Sequence, residues 1–117
     1  MPRFVILEHD HQTRHWDLML EAGPVLRTWR LSLPPEPSRP VEAIPSFDHR
    51  LAYLDYEGPV SGNRGTVRRW DAGTFAWELD TPEQVAVCLS GRRIAGRAIL
   101  QREKSAWSFD VQVSEDG

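Results

Sequence analysis

The sequence of 117 residues has one cysteine, one lysine and no apolar stretch long enough to cross a bilayer. With Cys88 alone no internal disulfide can form, and its apolar neighbours predict a small buried residue at that position. The first residues lack the basic and then apolar pattern of a secretory leader, so we expect a cytoplasmic protein without a membrane partner. A net charge of −3 argues against broad, non-specific binding of nucleic acid.

The basic residues that are present are almost all arginines, and Lys104 is the only lysine. Arginine contacts phosphate in a bidentate manner, which lysine cannot do. A local arginine patch that binds phosphate is therefore one explanation of this bias, and a coding preference for arginine is the other.

Long stretches with helical periodicity are also missing, whereas short strand patterns recur between turn residues. Strands are predicted at residues 3–8, 15–21, 25–31, 84–89, 92–102 and 107–113, with a hairpin at 66–79 that turns at residues 71–73. Five prolines between residues 32 and 45 predict a surface loop there, with room for a short extended piece at 41–44. We expect a mainly β protein, a small single-domain β-barrel with short helical turns that spans residues 1–117, with a frayed tail at 114–117.

Histidine and aspartate share one face of the second predicted strand. His15 and Asp17 are two residues apart, so both side chains leave the same face, opposite the apolar face of the strand. His9 ends the preceding strand and can reach the same point. Two imidazoles and one carboxylate suit a divalent ion such as Mn²⁺, Fe²⁺ or Zn²⁺. Glu21 lies on that face as a candidate orienting residue, and solvated histidines without a metal are the alternative.

A second candidate pair is His49 and Tyr53. They are four residues apart, so a helical turn would bring their side chains together. Histidine can donate to a phosphate oxygen or act as a general acid, and the tyrosine hydroxyl can donate to the same anion. The alternative is that Tyr53 is a core aromatic residue and His49 a loop residue.

Three motifs, in this order, resemble the 3′-phosphoesterase domain of bacterial DNA ligase D. They are FVILEHD at 4–10 with HWDLMLE at 15–21, the pattern DH-x3-Y-x3-EG at 48–58, and GTVRRWDAG at 65–73. The resemblance implies a compact β-barrel that removes 3′-terminal phosphates and trims 3′-ribonucleotides at primer-template ends of DNA. It implies Mn²⁺ held by His9, His15 and Asp17, and contacts from His49 and Tyr53 to the scissile phosphate. It also raises a DNA ligase or another end-joining protein as a partner.

The chain departs from the family at several positions of these motifs. Met19 stands where the family has an arginine that contacts the phosphate, Leu7 replaces a glutamine, and Phe47 replaces an acidic residue. No lysine follows the strand that contains Trp29. The arginines that we consider as replacements for the missing charge are Arg14, Arg50 and Arg64.

Three functions therefore remain open. The first is a metal-dependent phosphoesterase, and the second is a non-catalytic, metal-bound module that binds DNA ends or a partner. The third is an oxygenase or isomerase that uses Fe²⁺, because two histidines and a carboxylate also hold iron in such enzymes. An arginine side chain close to the metal residues would favour the first.

Overall fold

The computed structural model describes residues 1–113, which form a closed barrel of eight antiparallel strands, as predicted. The elements are β1 (Arg3–His9), β2 (His15–Ala22), β3 (Val25–Leu31), β4 (Val41–Arg50), a 3₁₀ turn (Leu51–Leu54), β5 (Gly58–Pro59), β6 (Thr66–Asp80), β7 (Gln84–Gly91), β8 (Ala95–Glu103) and β9 (Ala106–Val113). The order around the barrel is β1-β2-β3-β4-β9-β8-β7-β6, and β6 closes it by pairing with β1. The tail expected at 114–117 lies outside the described residues.

Strands β1 to β3 are buried on both faces. Their inward side chains, among them Phe4, Leu18 and Trp29, belong to the main core inside the barrel. On the outer face a smaller cluster forms where the chain segment after β4 folds back over the sheet. Its buried members are Val5, Leu7, Met19, Leu26, Leu54 and Val67. The predicted division of β2 into two faces is confirmed, since Leu18 and Leu20 face the main core and Met19 faces the outer cluster. The outer face of β2 forms the floor of a groove between the sheet and the segment after β4.

The hairpin predicted at 66–79 is wrong, because β6 runs through those residues as one strand. The carboxylate of Asp71 accepts hydrogen bonds from the backbone amides of Ala72, Arg92 and Ile94 at 2.8, 2.9 and 2.9 Å. Gly73 packs so closely on the backbone of β7 that a Cβ atom has no room. Aspartate and glycine, which usually signal a turn, here mark a register shift against β1 and a close strand contact.

Two other predictions need correction. Cys88 is exposed rather than buried, because it alternates with the inward-facing Val87 and Leu89. Strand β4 is longer than the short piece expected at 41–44, and it continues through Pro45 to residue 50. Since β9 pairs with only the first two residues of β4, the rest has one open edge, where a proline is tolerated.

No helix in the described part of the chain is long and apolar enough to span a membrane.

Candidate functional site

His9, His15 and Asp17 converge on the outer face of β1 and β2. His9 and His15 are register partners across the two strands, and Asp17 follows on the same face of β2. Oδ2 of Asp17 lies 3.6 Å from Nδ1 of His9 and 3.5 Å from Nε2 of His15. One potential ligand atom from each residue lies within 4.8 Å of the other two, which is close enough to share one ion.

Backbone carbonyls determine which ring nitrogens face Asp17. Nε2 of His9 donates to the carbonyl of Arg64 at 2.7 Å, and Nδ1 of His15 donates to the carbonyl of Thr13 at 2.9 Å. In the neutral rings, Nδ1 of His9 and Nε2 of His15 are then unprotonated and turned towards the carboxylate. Metal-binding histidines are commonly held in this way by their second nitrogen.

Of the metal triad, His9, His15 and Asp17, the last two are buried and His9 is half-buried, and their chemistry suits a divalent cation. His15 and Asp17 are each 5% exposed, and Nε2 of His15 has no hydrogen-bond partner among the described residues. Burial lowers the pKa of His15, but the Asp17 carboxylate and the Thr13 carbonyl raise the pKa by more, so the net shift is upward. Nδ1 of His9, Nε2 of His15 and the carboxylate of Asp17 together form a donor set for Mn²⁺, Fe²⁺ or Zn²⁺.

His49 and Tyr53 also meet, although no regular helical turn brings them together. His49 lies near the end of β4 and Tyr53 in the 3₁₀ turn, with ring centroids 5.5 Å apart in an edge-on arrangement. Nδ1 of His49 donates to the carbonyl of Phe47 and to Oγ1 of Thr28, both at 3.0 Å. The Thr28 hydroxyl in turn donates to the Leu26 carbonyl at 3.1 Å. These contacts leave Nε2 of His49 as the nitrogen available to a ligand.

Burial is the main influence on His49 and lowers its pKa. The negative charge of Asp17 and the Phe47 carbonyl act in the opposite direction but do not cancel the effect of burial. In the free protein His49 is therefore a neutral imidazole near neutral pH, with an unprotonated Nε2. A bound anion would oppose the effect of burial and favour the imidazolium.

A groove of about 280 Å³ contains His9, Asp17, His49 and Tyr53 in its lining. Its lining also includes Arg30, Arg50, Arg64 and Phe47. Two of the three arginines proposed from the sequence therefore reach the groove.

The other candidates lie elsewhere. Arg14 does not line the groove and forms an ion pair with Glu8 at 3.3 Å. Glu21 accepts the backbone amide of Arg3 at 2.7 Å, near the far end of β2, so its expected orienting role is wrong. Arg30 was not predicted, although it is the register partner of Asp17 across β2 and β3.

The register of the β2–β3 hairpin contains the signal that would have found Arg30. Gly23 and Pro24 form a two-residue loop, with Ala22 paired to Val25, and this places Arg30 opposite Asp17. The strands predicted at 15–21 and 25–31 leave three residues for the turn, and this left the register undetermined. Thr28 was also missed, because its contact with His49 depends on the register of β4 against β3, which shifts between Leu26 and Thr28.

Comparison with known proteins agrees with this geometry. The sequence model of the family described as "DNA Ligase D 3′-phosphoesterase domain" matches residues 7–102. This chain belongs to that family.

The DNA ligase D relatives are much longer proteins. The "Multifunctional non-homologous end joining DNA repair protein LigD" of Mycobacterium tuberculosis is 37% identical over 114 residues, which cover 89% of this chain and 15% of the relative. The corresponding LigD proteins of Mycolicibacterium smegmatis and Pseudomonas aeruginosa are 30% and 31% identical, over 90% and 86% of this chain. The chain spans only 13–16% of the length of these relatives. The family description names a phosphoesterase domain of DNA ligase D, and the names of these relatives describe proteins of non-homologous end joining.

Proposed function

We propose that this chain is a divalent-metal-dependent phosphoesterase that acts on 3′-phosphate or 3′-ribonucleotide ends of DNA during repair. His9, His15 and Asp17 hold the metal, Mn²⁺ being the expected ion and Zn²⁺ or Fe²⁺ the alternatives. The observation that carries the proposal is the orientation of the two imidazoles, whose unprotonated nitrogens both face one buried carboxylate. A bound divalent ion would polarise a phosphoryl oxygen and neutralise charge that develops in the transition state.

His49 and Tyr53, which line the same groove, are the proposed catalytic residues. His49 is neutral in the free protein, so its Nε2 is unprotonated before substrate arrives. The charge of a bound phosphate ester favours protonation of the ring, after which Nε2 can donate to a phosphoryl oxygen and protonate the leaving oxygen. The hydroxyl of Tyr53 positions the ester by donating to a second oxygen.

Arginines in the groove support binding of a phosphate ester. Met19 occupies the family arginine position and is buried in the apolar floor, so it contributes no charge. Arg30 projects from the neighbouring strand, opposite Asp17, and Arg50 and Arg64 line the same groove. We propose that Arg30 takes over the charge that the arginine supplies in the family, since a guanidinium binds two phosphate oxygens at once.

The names of the relatives point to the substrate and partners. These names describe proteins of non-homologous end joining of DNA. For this chain we propose DNA 3′ ends at primer-template junctions as the substrate, and a DNA ligase or another end-joining protein as the partner that uses the processed end. The conversion of a 3′-phosphate to a 3′-hydroxyl would supply the end that a ligase needs.

A phosphate-release assay on a primer-template with a 3′-phosphate tests the catalytic proposal. We expect the wild type to release phosphate with Mn²⁺ but not after treatment with EDTA. Asp17→Asn and His49→Ala should each reduce the rate by about a hundredfold, the scale of a lost general acid or a lost ligand. The matched control is His11→Ala, because His11 lines the groove and stacks on His9 at 5.8 Å but lies outside the triad.

Two outcomes of this assay would reject the proposed mechanism. One is a metal-loaded wild type that releases no phosphate, and the other is a His49→Ala variant as fast as the wild type. The second candidate function, a metal-bound module that binds DNA ends without hydrolysis, is favoured by the apolar Met19 in the floor. It predicts metal-dependent binding of the same primer-template with no turnover.

A further inference from the structure

Phe47 is a large aromatic side chain that the barrel leaves in solvent. It lies on β4, is 70% exposed, and belongs to neither hydrophobic cluster. Its ring stacks on His49 with centroids 4.7 Å apart and an angle of 13° between the planes. Since one face of the ring covers His49, the high exposure means that the other face is open at the rim of the groove.

The surroundings of this open face indicate what it binds. Arg30, Arg50 and Arg64 line the same groove and outnumber its two carboxylates, Asp17 and Asp48, so the groove offers positive charge to an anion bound near the ring. A nucleotide has the matching arrangement, with a flat aromatic base joined through a sugar to an anionic phosphate. Bases stack on exposed aromatic side chains regardless of their identity, because each base has a π face.

We propose that Phe47 stacks on the 3′-terminal nucleobase and so selects DNA ends whose last base is present. The inference rests on the proposed function, because it assumes that the phosphate of that nucleotide lies at His49 and the metal residues. The acidic residue that the family has at this position offers no such surface. Phe47 is thus a specificity-determining residue that contacts the terminal nucleotide by stacking.

The test compares two primer-templates that differ only in the terminal base of the primer. One ends in a normal nucleoside 3′-phosphate and the other in an abasic tetrahydrofuran 3′-phosphate. We expect Phe47→Ala to raise KM for the first end by about tenfold and to leave KM for the abasic end unchanged. Phe47→Trp should retain the low KM. Leu79→Ala is the matched control, because Leu79 is an exposed apolar side chain of β6 that does not line the groove.

A second readout separates this inference from catalysis. DNA with 2-aminopurine as the terminal base reports stacking by a loss of fluorescence, and this needs binding but no turnover. We expect the loss with the wild type and with Leu79→Ala, but not with Phe47→Ala. A wild type that quenches 2-aminopurine without releasing phosphate would overturn the proposed hydrolysis and leave the stacking inference intact.

Three results would overturn the inference itself. If Phe47→Ala raised KM equally for the base-bearing and the abasic end, Phe47 would only support His49. Unchanged kinetics and fluorescence in Phe47→Ala would mean that the ring has no role in binding. A change from dimer to monomer on the same substitution, measured by sedimentation, would mean that a second copy of the chain covers the ring.

Discussion

At the scale of single residues, hydrogen bonds to backbone carbonyls determine what the site can do. The two triad histidines use different nitrogens, Nδ1 of His9 and Nε2 of His15, because different carbonyls hold the opposite nitrogens. The alternation of side chains along a β-strand predicts from sequence that His15 and Asp17 share a face. It does not predict these tautomers, because the carbonyls of Thr13 and Arg64 belong to loops whose paths depend on tertiary packing.

Thr28 is a positioning residue for His49, and its hydroxyl can be removed without changing the shape of the side chain. We expect Thr28→Val to reduce kcat by about tenfold, equivalent to roughly 1.4 kcal/mol of transition-state stabilisation, because the imidazole loses one of its two acceptors. KM should change little, since Thr28 does not line the groove. The measurement is the steady-state rate of phosphate release.

The control for this prediction is Thr28→Ser, which keeps the hydroxyl and should restore most of kcat. A Thr28→Val variant with the kcat of the wild type would show that the Phe47 carbonyl alone orients the ring. A parallel rise in KM would instead assign Thr28 to substrate binding.

At the scale of elements, the loop between β5 and β6 delivers the carbonyl that orients His9. Gly65 allows this approach, since it has a φ of +77° and a Cβ atom there would lie 2.6 Å from Oδ1 of Asp10 and 3.0 Å from the amide nitrogen of His11. Asp10 holds the loop from the other side by accepting the amide of Thr66 at 2.6 Å. The glycine of the GTV motif is therefore needed for close packing of the loop on the metal residues.

Gly65→Ala should weaken metal binding as well as stability. The positive φ costs about 1–3 kcal/mol for a residue with a Cβ atom, and the contact with Asp10 and His11 adds to this cost by moving the loop. Once the Arg64 carbonyl moves, His9 loses its orientation, and the affinity for Mn²⁺ should fall by about 10- to 100-fold. Calorimetric titration with Mn²⁺ and denaturant unfolding measure the two effects.

The same loop offers a matched control. Gly62 has a φ of +76°, but a Cβ atom there would meet only the Arg64 side chain, at 3.6 Å. Gly62→Ala should therefore show the backbone strain without the collision, and it should lose stability but keep most of its metal affinity. Equal metal affinities in the two variants would contradict the assigned role of Gly65.

The elements also show where the sequence is informative and where it is not. Alternation and turn residues predict most strands of the barrel correctly, including β2, which carries His15 and Asp17. The error at β6 arose because Asp71 and Gly73 have the composition of a turn but contact the end of β7 and the turn after it, which local sequence does not reveal. Arg30 was missed because a hairpin predicts cross-strand neighbours only when the length of its loop is known.

At the scale of the whole molecule, the barrel places the site outside its core. The triad lies on β1 and β2 and His49 on β4, with β3 between them, and all line one groove on the outer surface, part of which the segment after β4 covers. Because strands hold these side chains, the metal-free protein already has the donor geometry, and binding needs little rearrangement. The sequence could not show this convergence, because β4 reaches the site only through its pairing with β3.

A preformed site makes metal binding a measurable part of the stability of the fold. An ion that binds only the folded state adds about 2.7 kcal/mol at a free concentration of 100 times Kd. For a domain of this size we expect Mn²⁺ or Zn²⁺ to raise Tm by about 10 °C, and Mg²⁺ to raise it less, since Mg²⁺ prefers oxygen ligands. Differential scanning calorimetry measures the shift.

Asp17→Asn should abolish most of this shift, because it removes the carboxylate that both imidazoles face. The substitution also changes the metal-free protein, so each variant is compared with its own Tm in EDTA. His11→Ala should keep the full shift. If Asp17→Asn and the wild type gained the same number of degrees, the ion would be stabilising the barrel from another set of carboxylates. The three residues would then be close neighbours that bind no ion, and the proposed hydrolysis would lose its metal.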